Sequence, residues 1–148
     1  MGIRWDILIN YCPGNEQLVL PENHGCACPG SVLTFNCTTV GVGTTLWRGT
    51  AFKCQSTGNQ ITLLNSLFAS GGVGSSGACN NGDIMARGIS ADGNCYTSQL
   101  NITVSPGLNQ TSVECIYSSD RLSTIGTSAL YVLLGKASIN CIVSNYKI

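Results

Sequence analysis

The sequence predicts an all-β protein, a two-sheet antiparallel Greek-key sandwich stapled by disulfides. Short runs in which apolar and polar residues alternate recur along the chain, punctuated by turn signals. No apolar period of 3.6 residues persists for ten residues or more, so helices are not expected. Nine cysteines in 148 residues point to an oxidising compartment and to a fold held by bridges.

The first clear strand is carried by Leu33, Phe35 and Cys37, which alternate with Thr34 and Asn36. Gly41-Val42-Gly43 then turns the chain. Thr44 to Thr50 places Thr45, Trp47 and Gly49 on one face. Ile61 to Leu64 is a short apolar run after Gly58-Asn59, and the glycine- and serine-rich stretch from Ala69 to Gly77 reads as a loop. Asn80-Asn81-Gly82 is a turn signal, with a strand expected over Ile84 to Ile89. Leu100, Ile102 and Val104 alternate with Asn101 and Thr103 before the Pro106-Gly107 turn. Val113, Cys115 and Tyr117 alternate with Glu114 and Ile116. Ser118 to Thr124 reads as a polar loop, and Leu130, Val132 and Leu134 as a final strand.

Alternation places Cys37 with Leu33 and Phe35, and Cys115 with Val113 and Tyr117, so both cysteines point inward. A bridge between facing sheets needs that arrangement, and the ring of Trp47 packed on the bridge would fill the centre of the core. The rival is an unrelated disulfide-rich β fold. Cys54, Cys79 and Cys95 lie in the middle of the chain. A Cys54–Cys79 bridge would tie the glycine-rich loop to the end of the Trp47 strand, and Cys79–Cys95 is the competing pairing. Cys12, Cys26 and Cys28 would staple the N-terminal part, and Cys141 is the candidate for the odd thiol left by nine cysteines.

These residues resemble the immunoglobulin superfamily. Phe35-Asn36-Cys37 is similar to its strand B, Leu46-Trp47 to strand C, Leu100 to Val104 to strand E and Val113-Glu114-Cys115 to strand F. Gly126-Thr127-Ser128-Ala129-Leu130-Tyr131-Val132 resembles the ending of strand G. More narrowly, Cys79-Asn80-Asn81-Gly82 and Cys95 to Leu100 look like the cysteine-rich Ig-like domain proteins of early-branching animals. The resemblance implies an Ig-like domain over residues 17–134, a variable-type strand set, an N-terminal extension over 1–16 and a tail over 135–148. The family's tyrosine corner falls at Val113, which departs from its pattern.

Charge narrows the function. Charged residues make up 9% of the chain and the formal net charge is zero. The seven basic residues are scattered, so no nucleic-acid partner is expected. No run of about 18 apolar residues exists to span a membrane. The first ten residues carry Arg4 and Asp6, and their longest apolar run, Ile7-Leu8-Ile9, is shorter than the roughly 7–15 residues of a secretory signal. The secreted reading therefore expects the chain to be a piece of a longer product. So few charges leave hydration to Ser, Thr and Asn and to glycans at the sequons of Asn36, Asn101 and Asn109.

Catalysis and metal chemistry find little to work with. His24 is the lone histidine, and His24-x-Cys26-x-Cys28 lacks the paired ligand spacing of a zinc site. No basic cluster surrounds a cysteine to lower its pKa. Gly71-Gly72-Val73-Gly74 lacks a phosphate-loop lysine. The expectation is an extracellular, non-catalytic recognition or adhesion module without cofactor, binding a protein or glycan ligand at one end of the sandwich. The candidate loops are Thr39 to Gly43, Leu67 to Gly77 and Ser118 to Thr124, with Asp120 and Arg121 in the last as the candidate binding pair. The alternative is a structural spacer of a larger cell-surface or secreted protein.

Overall fold

The computed structural model describes residues 16–41, 44–54, 66–70, 76–92 and 95–135. Among the described residues, nine strands build two antiparallel sheets that pack face to face. They are β1 (Gln17–Val19), β2 (Val32–Val40), β3 (Thr44–Arg48), β4 (Ser66–Ser70), β5 (Ser76–Cys79), β6 (Ile84–Asp92), β7 (Cys95–Thr103), β8 (Thr111–Ser118) and β9 (Leu122–Leu130). One sheet has the order β1-β2-β7-β6-β5 and the other β4-β3-β8-β9. The chain changes sheet after β2, β4 and β7. β7 thereby returns to lie beside β2, the Greek-key connection.

The inward sets follow from alternation. Leu33, Phe35 and Cys37 of β2 face Trp47 of β3, Leu100 and Ile102 of β7, and Val113 and Cys115 of β8 in one core. Ile84 and Ala86 extend it along β6, and Leu130 and Val132 close it at the end of β9. Tertiary pairing reshapes three stretches. Leu122 to Thr124, expected in a loop, pair with β8 as the start of β9. All three side chains stand exposed on an edge strand, so no buried apolar alternation marks them. Ala69 and Ser70 pair with β3 inside β4, and Ser76 and Gly77 pair with β6 inside β5. The apolar run Ile61 to Leu64 lies outside the described residues.

Two bridges pin the layers. Cys37 is bonded to Cys115 across the sheets, and Cys54 to Cys79. The second anchors the segment after β3. Asn80, next to Cys79, takes Lys53 N on its Oδ1 at 2.6 Å and donates its Nδ2 to Ala51 O at 3.2 Å. Its own backbone N donates to Lys53 O at 2.8 Å. Gly49, where this segment leaves β3, has no room for a side chain. A Cβ there would lie 2.4 Å from the Phe52 ring and 2.6 Å from Ser112 O.

The segment that continues β9, residues 131–133, is covered on its open side. Ala27 N donates to Tyr131 O, Tyr131 N to His24 O, and Leu133 N to Ala27 O, at 2.8–2.9 Å. Leu18 of β1 packs on Gly126, where a Cβ would meet Leu18 Cβ at 2.6 Å. Between Cys115 and Ile116 the β8–β9 register shifts, so Ile125 bulges from β9. No helix among the described residues is long and apolar enough to cross a membrane.

Candidate functional site

The β8–β9 hairpin forms one end of the sandwich. Its ladder runs unbroken from the bulge to the pair Ser118↔Leu122, which leaves a tip of three residues, 119–121. Ser119 N donates to Arg121 O at 3.1 Å, and Ser119 Oγ donates to Asp120 Oδ1 at 2.9 Å. Asp120 and Arg121 both stand exposed on this tip, beside Leu122 at 56% exposure. The carboxylate is thus oriented by the adjacent hydroxyl, while the guanidinium projects from a closed turn. Among the described residues the ion pair is a different one, Arg48 Nε to Glu114 Oε1 at 3.0 Å, across β3 and β8.

The other two loops expected at this end are shorter than the sequence suggests. Thr39 and Val40 belong to β2, and Leu67 to Ser70 belong to β4, so both expected loops lose residues to strands. Gly41, at φ +122°, turns the chain where a Cβ would meet the Tyr117 hydroxyl at 2.5 Å. The Tyr117 hydroxyl thus lies close against the backbone of Gly41.

The sequons divide between two places. Asn36 and Asn101 share the outer face of the five-stranded sheet, where Asn36 opposes Gln99 and Asn101 opposes Thr34. A hydrogen-bonded lattice joins them. Thr34 Oγ1 donates to Asn101 Oδ1 at 2.7 Å, and Asn101 Nδ2 to Gln99 Oε1 at 3.2 Å. Gln99 Nε2 donates to Asn36 Oδ1 at 3.4 Å, and Arg87 donates through Nε and Nη2 to Gln99 Oε1 at 3.3 and 3.1 Å. Thr38 and Thr97 pair hydroxyls at 3.2 Å on the same face. Asn109 lies at the opposite end, half-buried, its Oδ1 accepting from Val132 N at 2.9 Å.

Trp47 is fully buried opposite Cys115, and its Nε1 donates to Ser98 Oγ at 2.8 Å. Ser98 in turn opposes Cys37 on β7. Nothing in the sequence marks Ser98 for this role. It is one serine among many, and only the register of β2 and β7 brings it under the indole. Cys28 and Cys95 are disulfide-bonded as well, so every described cysteine is bridged except Cys26, an exposed free thiol. Cys141, expected to be the odd thiol, lies outside the described residues. Cys26 sits in the turn after His24, where its N donates to Asn23 O at 3.2 Å. His24 lies half-buried, with Nδ1 3.4 Å from both Ala129 O and Ser128 Oγ. Among the described residues no three His, Cys, Asp or Glu side chains converge as a metal site would require. No family model matches the chain, and no curated protein matches it.

Proposed function

We propose that the chain is an extracellular immunoglobulin-like recognition module, non-catalytic, that binds a protein or glycan ligand at the tip of the β8–β9 hairpin. The strand order supports the family reading. β2, β3, β7 and β8 stand where strands B, C, E and F would, with Cys37, Trp47 and Cys115 on B, C and F. β4 extends the sheet of β3, β8 and β9 as a C′ strand does, whereas β5 pairs with β6 in the other sheet. A variable-type domain carries C″ beside C′, so β5 is the strand that distinguishes this chain. The density of bridged cysteines supports an oxidising compartment.

The observation that carries the binding reading is the closed tip. Asp120, Arg121 and Leu122 offer two opposite charges and an apolar side chain on a turn that the ladder already orders. Binding there immobilises little backbone, so little conformational entropy opposes it. Arginine is also enriched at binding hot spots. Screening the purified domain against an array of cell-surface ectodomains and glycans is expected to yield a ligand. Arg121→Ala should then weaken that association by more than about 1 kcal/mol without lowering the melting temperature. Unchanged affinity would move the site off the hairpin.

The second reading, a spacer, rests on the lattice of Arg87, Gln99, Asn36, Asn101 and Thr34, a wide sheet face whose polar groups already satisfy one another. A glycan at Asn101 would complete such a surface, and one at Asn109 would cover the end of the sandwich. Linkage consumes one of the two N–H bonds of each amide, and Asn109 uses only its Oδ1 internally. Material secreted from a eukaryotic cell should therefore lose mass on glycosidase treatment. A mass that stays constant would show that side chains alone hydrate this face.

A further inference from the structure

Asn81-Gly82 is the one Asn-Gly step in the sequence. It lies in the 3-10 turn between β5 and β6, exposed, directly after the Cys79 bridge. Three consecutive residues there have positive φ, Asn80 at 54°, Asn81 at 56° and Gly82 at 95°. The two asparagines differ sharply. Asn80 has both amide atoms bonded to the 51–53 segment. Asn81 makes no such bond, and nothing lies within 4 Å of the Cβ position of Gly82.

We propose that Asn81 is a latent deamidation site, held inactive by the backbone of this turn and released when the Asn80 anchor opens. In the reaction the Gly82 backbone nitrogen gives up its proton and attacks Cγ of Asn81. The new N–Cγ bond closes a succinimide, and the Cγ–Nδ2 bond breaks to release ammonia, which carries the proton. Solvent water then opens the ring at either carbonyl and leaves aspartate or isoaspartate at position 81. Closure of the five-membered ring requires the Gly82 nitrogen on the same side of the Cα–C bond as the Asn81 Cβ. At ψ 31° it stands on the far side. The missing side chain of Gly82 removes all steric hindrance at the nucleophile, so the backbone torsion is the barrier that the fold adds. That torsion is held by the Asn80 bonds on one flank. On the other, Asp83 N donates to Asn80 O at 3.1 Å and Asp83 O accepts from Thr103 N at 2.7 Å. The product matters to this chain because it adds a negative charge to a protein of zero formal charge. In the isoaspartate form it also inserts a methylene into the backbone beside the Cys54–Cys79 bridge.

The test follows deamidation by peptide mass mapping at mildly alkaline pH. It compares the folded, oxidised chain with the same chain reduced and held in guanidinium. The unfolded chain is expected to react at Asn81 ahead of every other asparagine, and the folded chain at least about tenfold more slowly, which corresponds to an opening cost of about 1.4 kcal/mol. Asn80→Gly keeps the positive φ and removes the two side-chain bonds. With its fold checked by circular dichroism, it should react several-fold faster than the native folded chain. Equal rates in the folded and unfolded native chain would overturn the backbone gate. So would an unfolded chain inert at Asn81, and an Asn80→Gly variant no faster than the native protein would remove Asn80 as the anchor.

Discussion

Replacing Cys37 and Cys115 together with alanine should cost about 4–5 kcal/mol, the largest loss expected of any bridge described in this fold. The bridge spans 78 residues, and the chain-entropy relation gives about 4.5 kcal/mol for closing a loop of that length in the unfolded state. Cys54–Cys79 spans 25 residues and should be worth about 3.5 kcal/mol by the same relation. Domains of this size are stable by roughly 5–15 kcal/mol, so removal of the first bridge brings the chain close to unfolding at body temperature. Guanidinium titration of the two double variants, each against the native chain, checks both the size and the order of the effects. The reverse order would mean that local anchoring by Cys54–Cys79 outweighs chain entropy.

Truncating Trp47 to alanine should destabilise the fold by about 3–5 kcal/mol, the range for deleting a large buried ring. The site cannot collapse easily, because the indole is fully buried between the Cys37–Cys115 bridge and the β7 strand. Part of the loss is polar. Removing the indole N–H leaves Ser98 Oγ without its donor, although Ser98 can still donate weakly to Arg87 O at 3.4 Å. Ser98→Ala alone should cost about 1–3 kcal/mol, since it strands a buried N–H. Trp47→Phe with Ser98→Ala should be milder than the sum of the singles, because both polar partners leave together. Additivity in that cycle would show that the 2.8 Å bond contributes nothing beyond packing.

The sandwich was legible wherever a strand buries one face and wets the other. Leu33, Phe35 and Cys37 announce β2, and Leu100 and Ile102 announce β7, because burial imposes period two on strands of this kind. β9 lacks that signature. Leu122, Ser123, Thr124 and Thr127 are exposed, so only pairing with β8 identifies the strand. The candidate site divides in the same way. Asp120 and Arg121 stand out in a charge-poor chain. That they crown a three-residue tip, and not a long loop, depends on the Ser118↔Leu122 register, which no local residue specifies. Ser98 and the Arg87–Gln99–Asn36 chain of bonds are invisible for a related reason. They join residues 51 and 63 positions apart, and cross-strand register alone brings them together.

β9 has nine residues and carries neither charge nor proline. An edge of that kind is a template on which further chains can stack. Proteins rich in lysine deter such growth by repulsion, and a chain with 9% charged residues has little to repel with. Here the deterrent is covalently continuous cover. Residues 24–27 occupy the hydrogen-bonding positions beside 131–133, Leu18 fills the notch at Gly126, and the bulge at Ile125 twists the remaining stretch out of register with an incoming strand. Resistance to fibril formation in this protein is therefore expected to rest on its N-terminal segment. It should disappear when that segment, β1 included, is peeled away, even while β2 to β9 stay paired.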